Sequence, residues 1–130
     1  MSSVFTKIIN RVLPAYIVAE DNEHIAFLDI NPIAYGHLLV VPKLEVDYIF
    51  DIDDPQYIKI FSFAKKVSLA MKKAIPCQRI SISVIGTEVP HAHIHLIPTN
   101  SISDVNFEKE KLSFTHDNMV EAKEKIKKFI

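Results

Sequence analysis

Apolar residues recur along this chain at two spacings. Phe5, Ile8, Ile9 and Val12 are spaced as one face of a helix over Val4–Val12, with Pro14 as its stop. Tyr16–Ala19 and His24–Leu28 read as short strands around the turn-like Glu20-Asp21-Asn22-Glu23, and His37–Val41 as a third closed by Pro42. Asp53-Asp54-Pro55 opens a helix, with Asp as N-cap and Pro in the first turn. That helix is predicted to run to about Ile75, turning Tyr57, Phe61, Ala64, Met71 and Ala74 to the core, with Pro76 beyond its end. Arg79–Ile85 sets Ile80, Ile82 and Val84 against Ser81 and Ser83, the alternation of a half-buried strand. His91–Ile97 is a fifth strand between Pro90 and Pro98, and a polar connection leads to a terminal helix over about Asp117–Ile130 with Glu121/Lys125 and Glu124/Lys128 pairs.

One long helix lies among the strands, and the 130 residues contain only two glycines. A doubly wound nucleotide-binding fold needs repeated βαβ units and a glycine-rich phosphate loop, so it is excluded. The pattern predicts an α+β fold, a five-stranded antiparallel sheet with one long central helix and flanking helices. The length predicts a single domain over residues 1–130.

A net charge of −1 provides no basic field for nucleic acid or an anionic membrane, and neither is expected as a partner. No stretch approaches the roughly 18 apolar residues of a membrane span. Lys7, Asn10, Arg11 and Pro14 interrupt any leader-like segment, and the single cysteine, Cys77, has no partner for a disulfide or a CxxC metal site. The expected location is the cytoplasm.

Three of the six histidines alternate within His91-Ala92-His93-Ile94-His95. On a strand they share a face, while Ala92, Ile94 and Leu96 form the apolar face. His24 and His116 belong to no pattern and read as surface residues. The row admits three readings: structural histidines satisfied by neighbours, a metal site, or nucleophilic and acid–base chemistry. Nitrogens sharing one zinc lie within about 4 Å of each other. Residues four apart on a strand are separated by roughly 13 Å at Cα. His91 and His95 therefore cannot share an ion, although an adjacent pair could. Neutral imidazole is also a nucleophile near pH 7 and a carrier of protons.

His91-Ala92-His93-Ile94-His95-Leu96-Ile97 resembles the signature of the histidine triad (HIT) superfamily of nucleotide hydrolases and transferases. Val4–Ile9, Leu13-Pro14-Ala15, Phe27–Pro32 and Gly36–Lys43 are similar to further family segments in the same order. The resemblance spans residues 4–98 and is nearest to the small histidine triad nucleotide-binding proteins, leaving 99–130 as a variable extension with a terminal helix. It implies that His93 attacks the α-phosphorus of a purine nucleotide and forms a nucleotidyl-histidine, with its other nitrogen held by a backbone carbonyl, that of His91. It implies that His95 contacts the phosphate and helps protonate the leaving group, and that His91 and His37 form a supporting network. Asp29 would hold the ribose, and Phe5, Ile8, Phe27 and Ile30 would wall the base. The family's phosphate-side segment is Gly86-Thr87-Glu88-Val89-Pro90 here, with Glu88 where a hydroxyl residue is usual. The implied substrates are purine nucleoside phosphoramidates or related nucleoside monophosphate derivatives. Alternatives are dinucleoside polyphosphate hydrolysis or nucleotide binding with little turnover. The implied reaction needs no metal and no organic cofactor, and the implied assembly is a homodimer with one continuous ten-stranded sheet.

Overall fold

The computed structural model describes residues 2–130. Its strands are β1 (Ile17–Glu20), β2 (His24–Leu28), β3 (Leu38–Pro42), β4 (Arg79–Ser83) and β5 (Ile94–Thr99), and its α-helices are α1 (Val4–Ile9), α2 (Asp54–Ala74) and α3 (His116–Lys127). The expected α+β architecture is present. All strand pairs are antiparallel, in the order β1-β2-β3-β5-β4, so β1 and β4 are the open edges.

The helices begin where a side chain satisfies their free N–H groups. Ser3 accepts from the Thr6 N–H, Asp53 from Gln56 and Thr115 from Asn118. The buried stripe of α2 is Ile60, Phe63, Ala64, Val67, Ala70 and Met71, whereas Tyr57, Phe61 and Ala74 are only half-buried. The stripe is thus rotated from the expected one, because the helix packs under both the sheet and α3 rather than along a single seam.

The strands at the centre, β2, β3 and β5, are buried throughout because both faces of the sheet are covered. Ala26, Leu28, Leu38, Val40, Ile94 and Leu96 pack with α2 and α3 on one face. Ile25, Phe27, Leu39 and Val41 pack with Phe5 and Ile8 of α1 on the other. Burial at this scale is the main force holding the sheet between its helices.

Three expectations are corrected. The last strand begins at Ile94, not His91, so His91 and His93 lie on the irregular segment leading into it, anchored where Ala92 N–H donates to the Val46 carbonyl at 2.7 Å. Pro98 does not bound that strand but lies within it, opposite Ile80. His24 is buried rather than on the surface: its Nδ1 is 3.0 Å from the Asp21 carboxylate and its ring stacks on Phe63.

Gly36, just before β3, has φ +85°, and a Cβ there would come 2.1 Å from Cδ1 of Ile75, the C-cap of α2. Glycine suits that backbone, which L side chains rarely adopt, and leaves room for the Ile75 side chain. The chain turns there directly into His37.

Candidate active site

The side chains on the α1 face of the sheet line a cleft of about 820 Å³. Asp29, Phe5, Ile8, Phe27, Ile30, Thr87, Glu88 and Val89 all line it, together with His37, His93 and His95. Phe5, Ile8 and Phe27 are also buried core residues, whereas Ile30 is 71% exposed and stands at the rim. His91 is completely buried behind the cleft and does not line it.

The hydrogen bonds assign a proton to each of the four histidines. The Ile33 N–H donates to His37 Nδ1 at 3.1 Å, so the neutral ring carries its hydrogen on Nε2. That Nε2–H faces His95 Nδ1 at 2.9 Å, which leaves the His95 hydrogen on Nε2. His93 Nδ1–H donates to the His91 carbonyl at 2.8 Å and leaves Nε2 with its lone pair. His91 Nε2–H donates to the Pro42 carbonyl at 2.7 Å, and its Nδ1 accepts from the Ser3 hydroxyl, also at 2.7 Å. Glu45 secures this end by accepting from Ser3 N–H at 2.8 Å and from the Thr6 hydroxyl at 2.6 Å. Among the described residues no buried side-chain nitrogen or oxygen lacks a partner.

Burial favours the uncharged ring. Desolvation, aided by the Lys111 and His93 charges, brings His37 down to about 4. Desolvation, with His37 and His93 adding to it, brings His95 down to about 3, although Asp29 opposes the shift. His91 is also lowered, chiefly by burial, against the raising effects of Pro42 and Glu45. At neutral pH His37 and His95 are thus uncharged, and His95 can offer a hydrogen bond through Nε2.

His93 sits between two rings, Phe5 at 5.0 Å and His95 at 4.9 Å between centroids. Asp29 Oδ1 accepts from the Asn31 N–H, and its Oδ2 is 3.6 Å from His37 Nε2. Asp29, His37 and His95 also bring one potential ligand atom each within 4.8 Å of one another, a spacing that could hold a metal ion. This set joins the residue after β2, the residue before β3 and a residue of β5, so alternation along one strand gave no sign of it.

The profile of the HIT domain matches residues 10–102. The chain belongs to the HIT family. An uncharacterized HIT-like protein of Borreliella burgdorferi is 39% identical over 102 residues, covering 73% of each chain. An adenosine 5'-monophosphoramidase of Saccharomyces cerevisiae is 35% identical over 96 residues, covering 73% of this chain and 61% of that one. A crystal structure of a HIT-like protein from Bartonella henselae superposes with a TM-score of 0.86 at 28% identity, over 99% of this chain and 96% of the other.

Several groups around this HIT site were not legible in the sequence. The Ile33 N–H and the Pro42 and His91 carbonyls are backbone groups with no residue-type signal. Ser3 could be found only as a helix cap, and nothing marked Glu45 as its partner. Phe107, Glu108 and Lys111 also line the cleft, from a stretch to which the sequence assigned no role.

Proposed function

We propose that this protein hydrolyses purine nucleoside phosphoramidates and related nucleoside monophosphate derivatives at the α-phosphorus, through a nucleotidyl group carried on His93. The observation that carries this reading is the hydrogen bond from His93 Nδ1–H to the His91 carbonyl, which leaves Nε2 unprotonated toward the cleft. A nucleophile needs such a held partner and a free lone pair. Nε2 attacks phosphorus, the phosphorus–nitrogen bond breaks, and the amine departs with the electron pair and takes up a proton from solvent water. Water then attacks the nucleotidyl-histidine, which releases the nucleoside monophosphate and returns both His93 and the proton.

His95 gives its Nε2–H as a hydrogen bond to the phosphoryl group or the departing nitrogen. Kept neutral by burial, it serves as an oriented donor rather than a store of protons. Asp29 accepts from the ribose hydroxyls, and Phe5, Ile8, Phe27 and Ile30 enclose the base. Thr87, Glu88 and Val89 face the phosphate from the opposite loop. The yeast relative named an adenosine 5'-monophosphoramidase supports this chemistry. The working form is a single-domain cytoplasmic homodimer joined along β4.

The test is an acid quench of the full chain mixed with a labelled adenosine phosphoramidate. The wild type is expected to yield an acid-labile protein adduct and free monophosphate. His93→Ala should form no adduct and lose several orders of magnitude in kcat, as expected for a removed nucleophile. Turnover by His93→Ala at the wild-type rate would refute the assignment.

A further inference from the structure

Ring contacts give the cleft a direction. Phe5 meets His93 at 5.0 Å, His93 meets His95 at 4.9 Å, and His95 meets Phe107 at 4.7 Å. Phe5, in contact with Phe27, therefore begins this succession of contacts, and Phe107 ends it. Phe107 belongs to the stretch between β5 and α3. That stretch is tied to the loop following Asp29, because the Leu112 N–H donates to the Pro32 carbonyl at 2.8 Å.

Lys111 stands at the same end. Its Nζ donates to the Phe107 carbonyl and lies 5.8 Å from the Phe107 ring centre. It is the one lysine or arginine lining the cleft, whose other charged lining residues are Asp29, Glu88 and Glu108. Among the described residues it belongs to no ion pair. The ammonium is thus held by a neutral carbonyl, beyond the reacting histidines, with its charge unmatched. That charge is also felt at His37 and His95, which it helps to keep neutral.

The geometry points to Lys111 as a leaving-group subsite that takes a single anionic group, a carboxylate or a phosphate, carried by the departing amine. The inference rests on the proposed hydrolase reading of the site. One ammonium among carboxylates suits one negative group. The successive charges of a polyphosphate would face Glu88 and Glu108, where like charges repel. Phe107 supplies an apolar floor for the carbon chain that joins the amine to that anion.

The test uses the full chain and three adenosine phosphoramidates whose amines end in a carboxylate, a phosphate monoester or an uncharged amide. The wild type should favour an anionic substrate over the amide by about fivefold in kcat/KM, the scale of one solvent-accessible charge pair. Lys111→Met should bring that ratio towards one, and Lys111→Arg should restore it. The carboxylate and phosphate arms show which anion the site prefers. A loss in Lys111→Met common to all three substrates would assign Lys111 to the α-phosphate and overturn the subsite. An unchanged ratio, or a wild-type preference for the amide, would overturn it as well. Absence of wild-type turnover on every substrate would count against the hydrolase reading instead. Binding then carries the test: ADP adds one phosphate to AMP, and Lys111→Met should reduce the ADP-to-AMP affinity ratio. The same ratio in both proteins would end the proposal.

Discussion

Imidazole can attack phosphorus only through a nitrogen that carries no hydrogen, and which nitrogen that is depends on what the other one touches. Here the choice is made by groups other than the rings themselves: the Ile33 N–H for His37, the Ser3 hydroxyl and Pro42 carbonyl for His91, and the His91 backbone carbonyl for His93. Three rings carry hydrogen on Nε2 and only His93 carries it on Nδ1. The same burial that fixes these states makes stability depend on pH. His37 and His95 are held down at about 4 and about 3, below the ordinary value of 6.5. Between those limits the unfolded chain binds more protons than the folded one, so stability rises with pH there. The contribution is complete above about pH 6.5 and is lost as pH falls towards 3 to 4. Each histidine adds a slope approaching about 1.4 kcal/mol per pH unit. Thermal melts from pH 7.5 to 4.5 should show a falling Tm, with a shallower fall in His37→Gln/His95→Gln. Parallel curves for the two proteins would contradict this account.

Among the elements, β4 has the least complete environment. It is an open edge, and Ile82 on it is 55% exposed, whereas every residue of its neighbour β5 is buried. An apolar edge of this kind invites pairing with a second strand. For the proposed dimer, Ile82→Lys would set like charges near the twofold axis, and light scattering should report monomers where the wild type reports dimers. A monomeric wild type would remove the proposal. The elements also show what a sequence can disclose. β2 and β3 are continuous apolar runs with clear turn signals, and their pattern alone located them closely. The histidine row was equally plain, but its first half is not strand. Ala92 bonds to Val46 instead of to a sheet neighbour, a contact that alternation cannot reveal. His37 meeting His95, and Phe107 meeting both, depend on the pairing of β3 with β5 and on a polar connection folding back. Such cross-chain encounters leave no local pattern. His24 was misread for the same reason, since its burial comes from Phe63 in α2.

The whole molecule consists of a sheet with a large core under one face and a smaller core plus the reacting groups on the other. Gly36 stands between a residue of the large core and the histidines of the cleft. Ile75 presses on Gly36 from the large-core side, and the next residue, His37, hands its hydrogen to His95 on the other. Ile75 is also the C-cap of α2, and helix ends open at lower free energy than helix middles. Heat should therefore silence the proposed activity before it unfolds the chain. As the final turn of α2 frays, Gly36 loses its support and the His37–His95 pair loses alignment while the sheet persists. Activity followed against the far-ultraviolet signal on heating should fall first by several degrees, and recover on cooling from that interval. Coincident loss of both would mean that the site shares the full cooperativity of the core, and that the end of α2 is no weak point.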